Sequence, residues 1–285
     1  MKDKICLITG ATDGIGKEIA KSLAKLGAEI IYPSRNVEKG EMVKKEIISE
    51  TGNERISFLP CDLASLQSVS EFSRAVKEKY SRLDVLVNNA GFSGFKRRLS
   101  HDNIEYTFAV NHLAPFLMTN LLLDVLKNSP QARIITVSAD VHKHGTIDFD
   151  DLEKEHSYSL VKSYCQSKLA NILFTKQLAL HLKGTRVTAN CLLPGQATTT
   201  LIKDGNPFFN MLYQFSRFMK VKRFSAEFAA QTPIFLATSP EVENTSGECF
   251  KRKKIVRSSR ESYDMDIARR LWEVSEQYVK KYLSE

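Results

Sequence analysis

The chain has 285 residues, of which 42% are apolar and 26% are charged, and it carries a formal net charge of +8 at pH 7. This composition is typical of a soluble globular protein with a sizeable core. The five cysteines are odd in number and include no C-x-x-C pair, which argues against a disulfide framework and against a structural zinc site. No metal is expected.

The amino-terminal residues lead straight into a strand-like ICLIT, without the apolar stretch of a secretory signal. The most apolar region, residues 113–126, contains Asn120 and Asp124 and is shorter than the roughly 18–20 residues of a membrane span. We therefore expect a cytoplasmic protein without a membrane span.

Apolar strands alternate with amphipathic helices along the chain. We predict strands near residues 4–10, 28–33, 55–60, 83–91, 132–138, 185–193 and 247–256. We predict helices near residues 14–26, 37–50, 65–80, 103–127, 160–182, 225–237 and 262–282. This alternation indicates right-handed crossovers and a parallel sheet covered on both faces. The predicted fold is α/β, a single doubly wound Rossmann domain with a largely parallel sheet of about seven strands.

No linker or internal repeat divides the chain, so we expect one domain over residues 1–285. We expect residues 1–130 to bind mainly a cofactor, residues 131–256 to carry the catalytic and substrate groups, and residues 257–285 to form a helical extension. In such sheets, ligands bind at the carboxyl ends of the strands, near the point where the strand order reverses.

The sequence TGATDGIG, residues 9–16, joins the first strand to the first helix. Glycine lets the backbone approach a pyrophosphate, and the helix amino terminus offers free N–H groups and the positive end of its dipole. The candidate cofactor-binding residues of this turn are Gly10, Thr12, Asp13, Gly14, Ile15 and Gly16.

The residues after the second strand are Ser34, Arg35 and Asn36. A protein that prefers NAD usually carries an acid here, on the ribose 2′-hydroxyl. The guanidinium of Arg35 can instead form a forked contact with a 2′-phosphate, which predicts NADP(H) as the cofactor, with Asn36 beside it. Asp62 and Leu63 follow the third strand, where the Asp62 side chain can accept a hydrogen bond from the adenine amino group.

Tyr164 and Lys168 are spaced i and i+4, on one face of a predicted helix. A phenol titrates near pH 10, so its use near neutrality needs about 3 pH units, or about 4 kcal/mol, of assistance. An ammonium one turn away favours the phenolate and supplies part of it. The alternative is a solvated pair without catalytic function.

Asn111 lies four residues before Pro115 within a predicted helix. Proline lacks the N–H group that would bond the carbonyl of Asn111, and a free carbonyl can hold a water molecule. The alternative is a helix kink required for packing.

Five motifs occur together and in a fixed order: TGATDGIG, the NNAG of residues 88–91, Asn111, Tyr164-x-x-x-Lys168 and Pro194-Gly195. In this order and spacing they resemble the short-chain dehydrogenase/reductase family over nearly the whole chain. Residues 34–41, 110–123, 167–175 and 268–275 are similar to its retinol-dehydrogenase-like branch, which includes the WW-domain-containing oxidoreductase.

The resemblance implies a role for each matching residue. Tyr164 exchanges a proton with the substrate oxygen, Lys168 binds the nicotinamide ribose and lowers the pKa of Tyr164, and Asn111 holds a water of the proton relay. The adenosine side is lined by Asn89, Ala90 and Gly91, and the nicotinamide carboxamide by Pro194, Gly195 and Thr199.

The catalytic serine of this family is missing at its expected place. The branch usually reads V-S-S, with the second serine 25 residues before the tyrosine, and that position is Ala139 here. Ser138 is one residue early and is expected on the opposite face of the strand. Two interpretations remain: catalysis is impaired, or Ser138 is the catalytic serine.

We therefore predict an NADP(H)-dependent oxidoreductase that interconverts a carbonyl and an alcohol on an apolar small molecule, such as a retinal-like aldehyde or another aldehyde or ketone. It is expected to be slow because of Ala139. The alternative is a cofactor-binding regulator or near-inactive enzyme of the same fold.

Two further features of the sequence bear on which partners the protein binds. The apolar segment 206–220 fits a substrate lid, a membrane-resting helix, or a cap on the core or a subunit interface. Basic runs at residues 96–98 and 251–254 are expected to be solvated edges. Nucleic acid is not an expected partner, whereas peripheral contact with a membrane remains open.

Overall fold

The computed structural model describes residues 1–195 and 225–283. In these ranges the strands form one sheet in the order β3-β2-β1-β4-β5-β6-β7-β8. The strands are β1 Ile5–Ile8, β2 Glu29–Ser34, β3 Ile56–Pro60, β4 Val85–Asn88, β5 Ala132–Val137, β6 Val187–Leu192, β7 Cys249–Lys251 and β8 Lys254–Ile255. All neighbours pair in parallel except β7 and β8. The predicted α/β fold with a largely parallel sheet is confirmed.

Helices cover both faces of the sheet. They are α1 Gly14–Lys25, α2 Val37–Thr51, α3 Leu66–Lys79, α4 Tyr106–Phe108, α5 Ala114–Leu121, α6 Leu123–Lys127, α7 Leu160–His181, α8 Ala226–Thr238 and α9 Met265–Leu283. One apolar layer contains Phe72 of α3, Phe116 of α5 and Trp272 of α9. The other contains Ile19 of α1 and Leu236 of α8. The sheet is therefore buried between two layers, which leaves the ends of its strands as the place for a site.

The predicted strand over residues 247–256 is wrong as a single element. It is a hairpin, in which β7 pairs in parallel with β6 and β8 turns back antiparallel to β7. This reversal adds an eighth strand to the seven expected, and it places a tight turn at the edge of the sheet.

The predicted long helix over residues 103–127 is interrupted. A π-helical turn, Ala109–Leu113, separates α4 from α5, and the N–H of Ala114 donates to the carbonyl of Ala109. Pro115 stands at the start of α5, where its missing N–H costs least. Because proline cannot continue the α-helical ladder, the bonds shift to wider spacing before it. Asn111 lies in this turn.

Thr199 and the apolar segment 206–220 lie outside the described residues. Among the helices that are described, none combines the length and the hydropathy needed to cross a membrane.

Candidate active site

A cavity of about 930 Å³ opens at the carboxyl edge of the sheet, where the strand order reverses between β1 and β4. Most of the residues predicted from the sequence line it. They are Gly10, Thr12, Asp13, Gly14, Ile15, Arg35, Asn36, Asp62, Leu63, Asn89, Ala90, Gly91, Ser138, Tyr164, Lys168, Pro194 and Gly195. Gly16 and Asn111 are not among the residues that line the cavity.

The glycine turn after β1 allows backbone to approach the cavity closely. Gly10 and Gly14 have φ angles of +71° and +51°, which a side chain would disfavour. A Cβ at Gly16 would overlap the carbonyl oxygen of Gly10 and lie 2.5 Å from Nδ2 of Asn89. Glycine at this position therefore lets α1 pack closely against the turn, and the cofactor contact of Gly16 stays a prediction. Asp13 caps α1, since its Oδ1 accepts from the N–H of Gly14 at 2.8 Å.

Thr9 ties the NNAG loop to the end of β1. Its hydroxyl accepts from the N–H groups of Asn89 and Ala90, each at 2.9 Å. The Asn89 amide donates to the Thr9 carbonyl, also at 2.9 Å. Sequence reasoning did not assign Thr9 a role, although it is the first residue of TGATDGIG. These three bonds hold two walls of the cavity together.

One end of the cavity is cationic. Arg35 lies there with Lys39 and Arg98, which sequence reasoning missed, and Tyr106 lies among them. Burial raises the pKa of the Tyr106 phenol, and Asp62 acts in the same direction, while Arg35 and Arg98 act against it. Three cations that line one end of a cavity suit a phosphate group there.

Asn36 and Asp62 are held by local backbone contacts at this end. Oδ1 of Asn36 accepts from the N–H of Lys39 at 2.7 Å and caps α2. Oδ1 of Asp62 accepts from the N–H of Ala64 at 3.0 Å, and its Oδ2 lies 3.4 Å from Nε2 of His101. Each side chain stabilises the backbone turn in which it lies, and both residues border the cavity.

Tyr164 and Lys168 lie on α7 at the other end of the cavity. Nζ of Lys168 is 5.5 Å from the centre of the Tyr164 ring and donates to the carbonyl of Val137 at 3.2 Å. Burial lowers the pKa of the Lys168 ammonium to about 8. Burial also raises the pKa of the Tyr164 phenol, contrary to the expectation that Lys168 would lower it. Withdrawal from water disfavours the charged phenolate, so the phenol is protonated at neutral pH.

Ser138 and Ala139 follow one another just after the end of β5. Ser138 is buried, and its hydroxyl donates to the backbone carbonyl of Lys168 at 2.7 Å. Ala139 has extended backbone and borders the cavity without a hydroxyl. Asp140, the next polar residue, is paired with Lys251 at 2.6 Å. Ser138 also borders the cavity, but its hydroxyl is bound to α7.

The Asn111 side chain joins the loop after β4 to the helix that carries Tyr164. Its Nδ2 donates to the carbonyl of Phe92 at 2.9 Å and to Oγ of Ser167 at 3.0 Å, and its Oδ1 accepts from the N–H of Phe92 at 2.7 Å. The Ser167 hydroxyl in turn donates to the backbone carbonyl of Tyr164 at 2.8 Å. The fully buried amide of Asn111 therefore positions two walls of the site.

His142 supports the backbone of Ala139 and was not predicted. Its Nε2 accepts from the N–H of Ser259 at 3.1 Å, so its Nδ1 carries the proton and donates to the carbonyl of Ala139 at 2.7 Å. Burial lowers the pKa of His142, which keeps the ring neutral in this arrangement.

The short chain dehydrogenase family profile matches residues 4–208, which include the glycine turn, the NNAG loop and the Tyr164–Lys168 pair. The chain belongs to the short chain dehydrogenase family. Human retinol dehydrogenase 13 is 42% identical to this short chain dehydrogenase over 281 residues, covering 97% of this chain and 84% of the relative. Human polyprenol dehydrogenase is 37% identical over 279 residues, covering 96% and 84%.

Solved structures agree with the fold of this short chain dehydrogenase. An uncharacterized protein from Mycobacterium Paratuberculosis is similar with a TM-score of 0.79 and 30% identity, over 98% of this chain and 94% of that one. A Shigella flexneri short chain dehydrogenase complexed with NADP has a TM-score of 0.68 at 24% identity, over 89% and 98%, and supports the fold alone. Family membership makes the chain an oxidoreductase that acts on CH–OH or C=O groups.

Proposed function

We propose that this protein is an NADP(H)-dependent oxidoreductase that interconverts a carbonyl and an alcohol on an apolar small molecule. The proposal rests on one observation, that the two ends of the cavity carry different chemical groups. Three cations, Arg35, Lys39 and Arg98, line one end, and the Tyr164–Lys168 pair lies at the other. Between them, the glycine turn and the amino terminus of α1 offer a place for a pyrophosphate.

In this proposal Tyr164 moves the proton and NADPH supplies the hydride when it is bound. The protonated phenol donates to the carbonyl oxygen as negative charge develops there. Lys168 holds the nicotinamide ribose and supplies positive charge near the phenol. Asn111 and Ser167 keep the helix that carries Tyr164 in register with the loop after β4.

The substrate is proposed to be apolar, for example a retinal-like aldehyde. Phe92, Val110, Val137 and Ala139 line the cavity together with Tyr164. The relatives named retinol dehydrogenase and polyprenol dehydrogenase support the same class of substrate.

We predict that the wild-type protein binds NADPH more tightly than NADH, and that Arg35→Asp reverses this preference. A forked charge-assisted contact with the 2′-phosphate is worth about 10- to 100-fold in affinity, and a carboxylate would repel the phosphate. Fluorescence titration of both nucleotides measures the ratio. Arg74→Asp, on the exposed side of α3, is the matched control. Equal affinity of the wild type for both nucleotides would refute the assignment.

The pH dependence of kcat/KM for carbonyl reduction should show a falling limb above a pH of about 8. This is the pKa to which burial lowers Lys168, and raising the pH through it removes the ammonium charge. Tyr164 does not supply this limb, because burial raises its pKa. In Lys168→Arg the limb should disappear, since guanidinium stays protonated to a pH of about 12. An unchanged limb in that variant would assign it to another group.

A second function is favoured by one observation, the absence of a hydroxyl at Ala139. A cofactor-binding regulator of the same fold needs the cationic end of the cavity but not fast chemistry. NADPH binding without turnover of any aldehyde or ketone, in the wild type and in Ala139→Ser alike, would favour this alternative.

A further inference from the structure

The hairpin of β7 and β8, with the residues that follow it to Arg260, forms a basic surface that the redox chemistry does not use. We call residues 249–260 the basic hairpin. Its stretch 251–260 contains six Lys and Arg residues and no Asp or Glu, against a net charge of +8 for the whole chain. The cations are Lys251, Arg252, Lys253, Lys254, Arg257 and Arg260.

Most of this charge is available to a partner. Lys251 is paired with Asp140 at 2.6 Å. Within residues 1–195 and 225–283, the other five cations form no ion pair, and all five are exposed. Elsewhere in the described chain many cations are paired, for example Lys17 with Glu46 and Lys77 with Asp124. The basic hairpin is therefore a local excess of uncompensated positive charge.

The turn of the hairpin holds two cations in an unfavourable conformation. Arg252 and Lys253 have φ angles of +50° and +63°, in the left-handed region where tight hairpins usually place Asn and Gly. The N–H of Lys253 donates to Oγ1 of Thr232 on α8 at 3.3 Å, which fixes the turn. Backbone strain of this kind tends to persist where the side chains have a function.

The basic hairpin lies at the same edge of the sheet as the mouth of the cavity. β7 runs parallel to β6, with Phe250 opposite Leu192, so both strands end at this edge. Pro194 and Gly195, just after β6, line the cavity. The Lys251–Asp140 ion pair ties the hairpin to the residue that follows Ala139.

Apolar side chains stand among the cations. Ile255 is 56% exposed on the edge strand β8, and Tyr263 is 44% exposed. The Tyr263 hydroxyl accepts from the N–H of Ser258 at 3.4 Å, which places this ring at the end of the basic hairpin. Exposed aliphatic and aromatic groups within a basic patch suit the headgroup region of a bilayer, whereas an aliphatic group gains little on a nucleic-acid backbone.

We propose that the basic hairpin docks the protein on an anionic lipid bilayer, with the mouth of the active-site cavity beside the membrane surface. Cations contact the lipid headgroups, and Ile255 enters the interface between headgroups and acyl chains. This arrangement would let an apolar molecule pass between the bilayer and the cavity with little exposure to water. The docking itself does not depend on the redox activity.

Co-sedimentation of the whole protein with vesicles tests the proposal. We expect binding to phosphatidylcholine vesicles that contain phosphatidylserine, loss of binding in high salt, and no binding to phosphatidylcholine alone. The triple substitution Arg252→Glu, Lys253→Glu and Lys254→Glu should lower the partition coefficient by about 100-fold or more, at about fivefold for each cation. Ile255→Ser should lower it by about tenfold.

The matched control reverses the same number of positive charges outside the basic hairpin. It carries Lys25→Glu, Lys45→Glu and Arg74→Glu, at exposed positions of α1, α2 and α3. It should leave vesicle binding within a few-fold of the wild type. Thermal melting establishes that every variant is folded. Equal loss in both triple variants would overturn the proposal in favour of overall charge, and unchanged binding in the hairpin variant would overturn it directly. Tighter binding of duplex DNA than of vesicles, unaffected by Ile255→Ser, would assign the surface to nucleic acid instead.

Discussion

Replacing Tyr164 with phenylalanine should lower the turnover of carbonyl reduction by about 10²- to 10⁴-fold while NADPH still binds. The substitution removes the phenol that the proposed mechanism uses as proton donor, and it keeps the ring that packs beside Lys168. Single-turnover oxidation of bound NADPH, followed by absorbance, measures the chemical step. Fluorescence titration shows whether the cofactor still binds.

Tyr263→Phe is the control, because this phenol is 44% exposed and is not among the residues that line the cavity. It should leave turnover within about twofold of the wild type. An active Tyr164→Phe variant would mean that another group moves the proton.

Adding a hydroxyl at position 139 should accelerate the enzyme. With alanine there, Tyr164 is the one side-chain donor that the proposal places at the developing oxyanion. Loss of one such donor typically costs about 3–4 kcal/mol. Ala139→Ser should therefore raise kcat by roughly 10²- to 10³-fold with little change in NADPH affinity. Steady-state rates with a panel of aldehydes and ketones measure the gain.

Ser138→Ala is the neighbouring control. The Ser138 hydroxyl donates to the carbonyl of Lys168, so its removal should affect stability more than turnover. If Ser138→Ala abolished activity while Ala139→Ser changed nothing, Ser138 would be the catalytic serine and the assignment of position 139 would be wrong by one residue.

The sheet and most helices could be predicted from the sequence because long periodic segments carry their own signal. The basic hairpin could not, since its turn is Arg252-Lys253 rather than the Asn-Gly type that marks two-residue hairpins. Pro115 predicted a disturbance near Asn111, but a missing N–H group does not by itself specify that the hydrogen bonds shift to a π-helical turn.

The candidate site was predictable where one motif supplies several neighbouring residues, as in the turn that contains Gly10. Lys39, Arg98 and Tyr106 were missed because they reach the cavity from separate segments, and none belongs to a motif. Asn111 was predicted from its place before a proline, but its side-chain contacts with Phe92 and Ser167 are long-range. Such contacts follow from the fold, not from local spacing.

The strand order also bears on how the nascent chain assembles. β1 is synthesised first, β2 and β3 then add outward on one side, and β4 to β8 add outward in turn on the other. Among the described strands, none is inserted between two that are already paired, so the growing sheet never has to open. Until β5 is made, however, the edge of β4 presents unpaired N–H and C=O groups. Wrong strand pairing, a common start of aggregation, is therefore to be expected while the residues between one edge strand and the next leave the ribosome, as residues 89–131 do between β4 and β5.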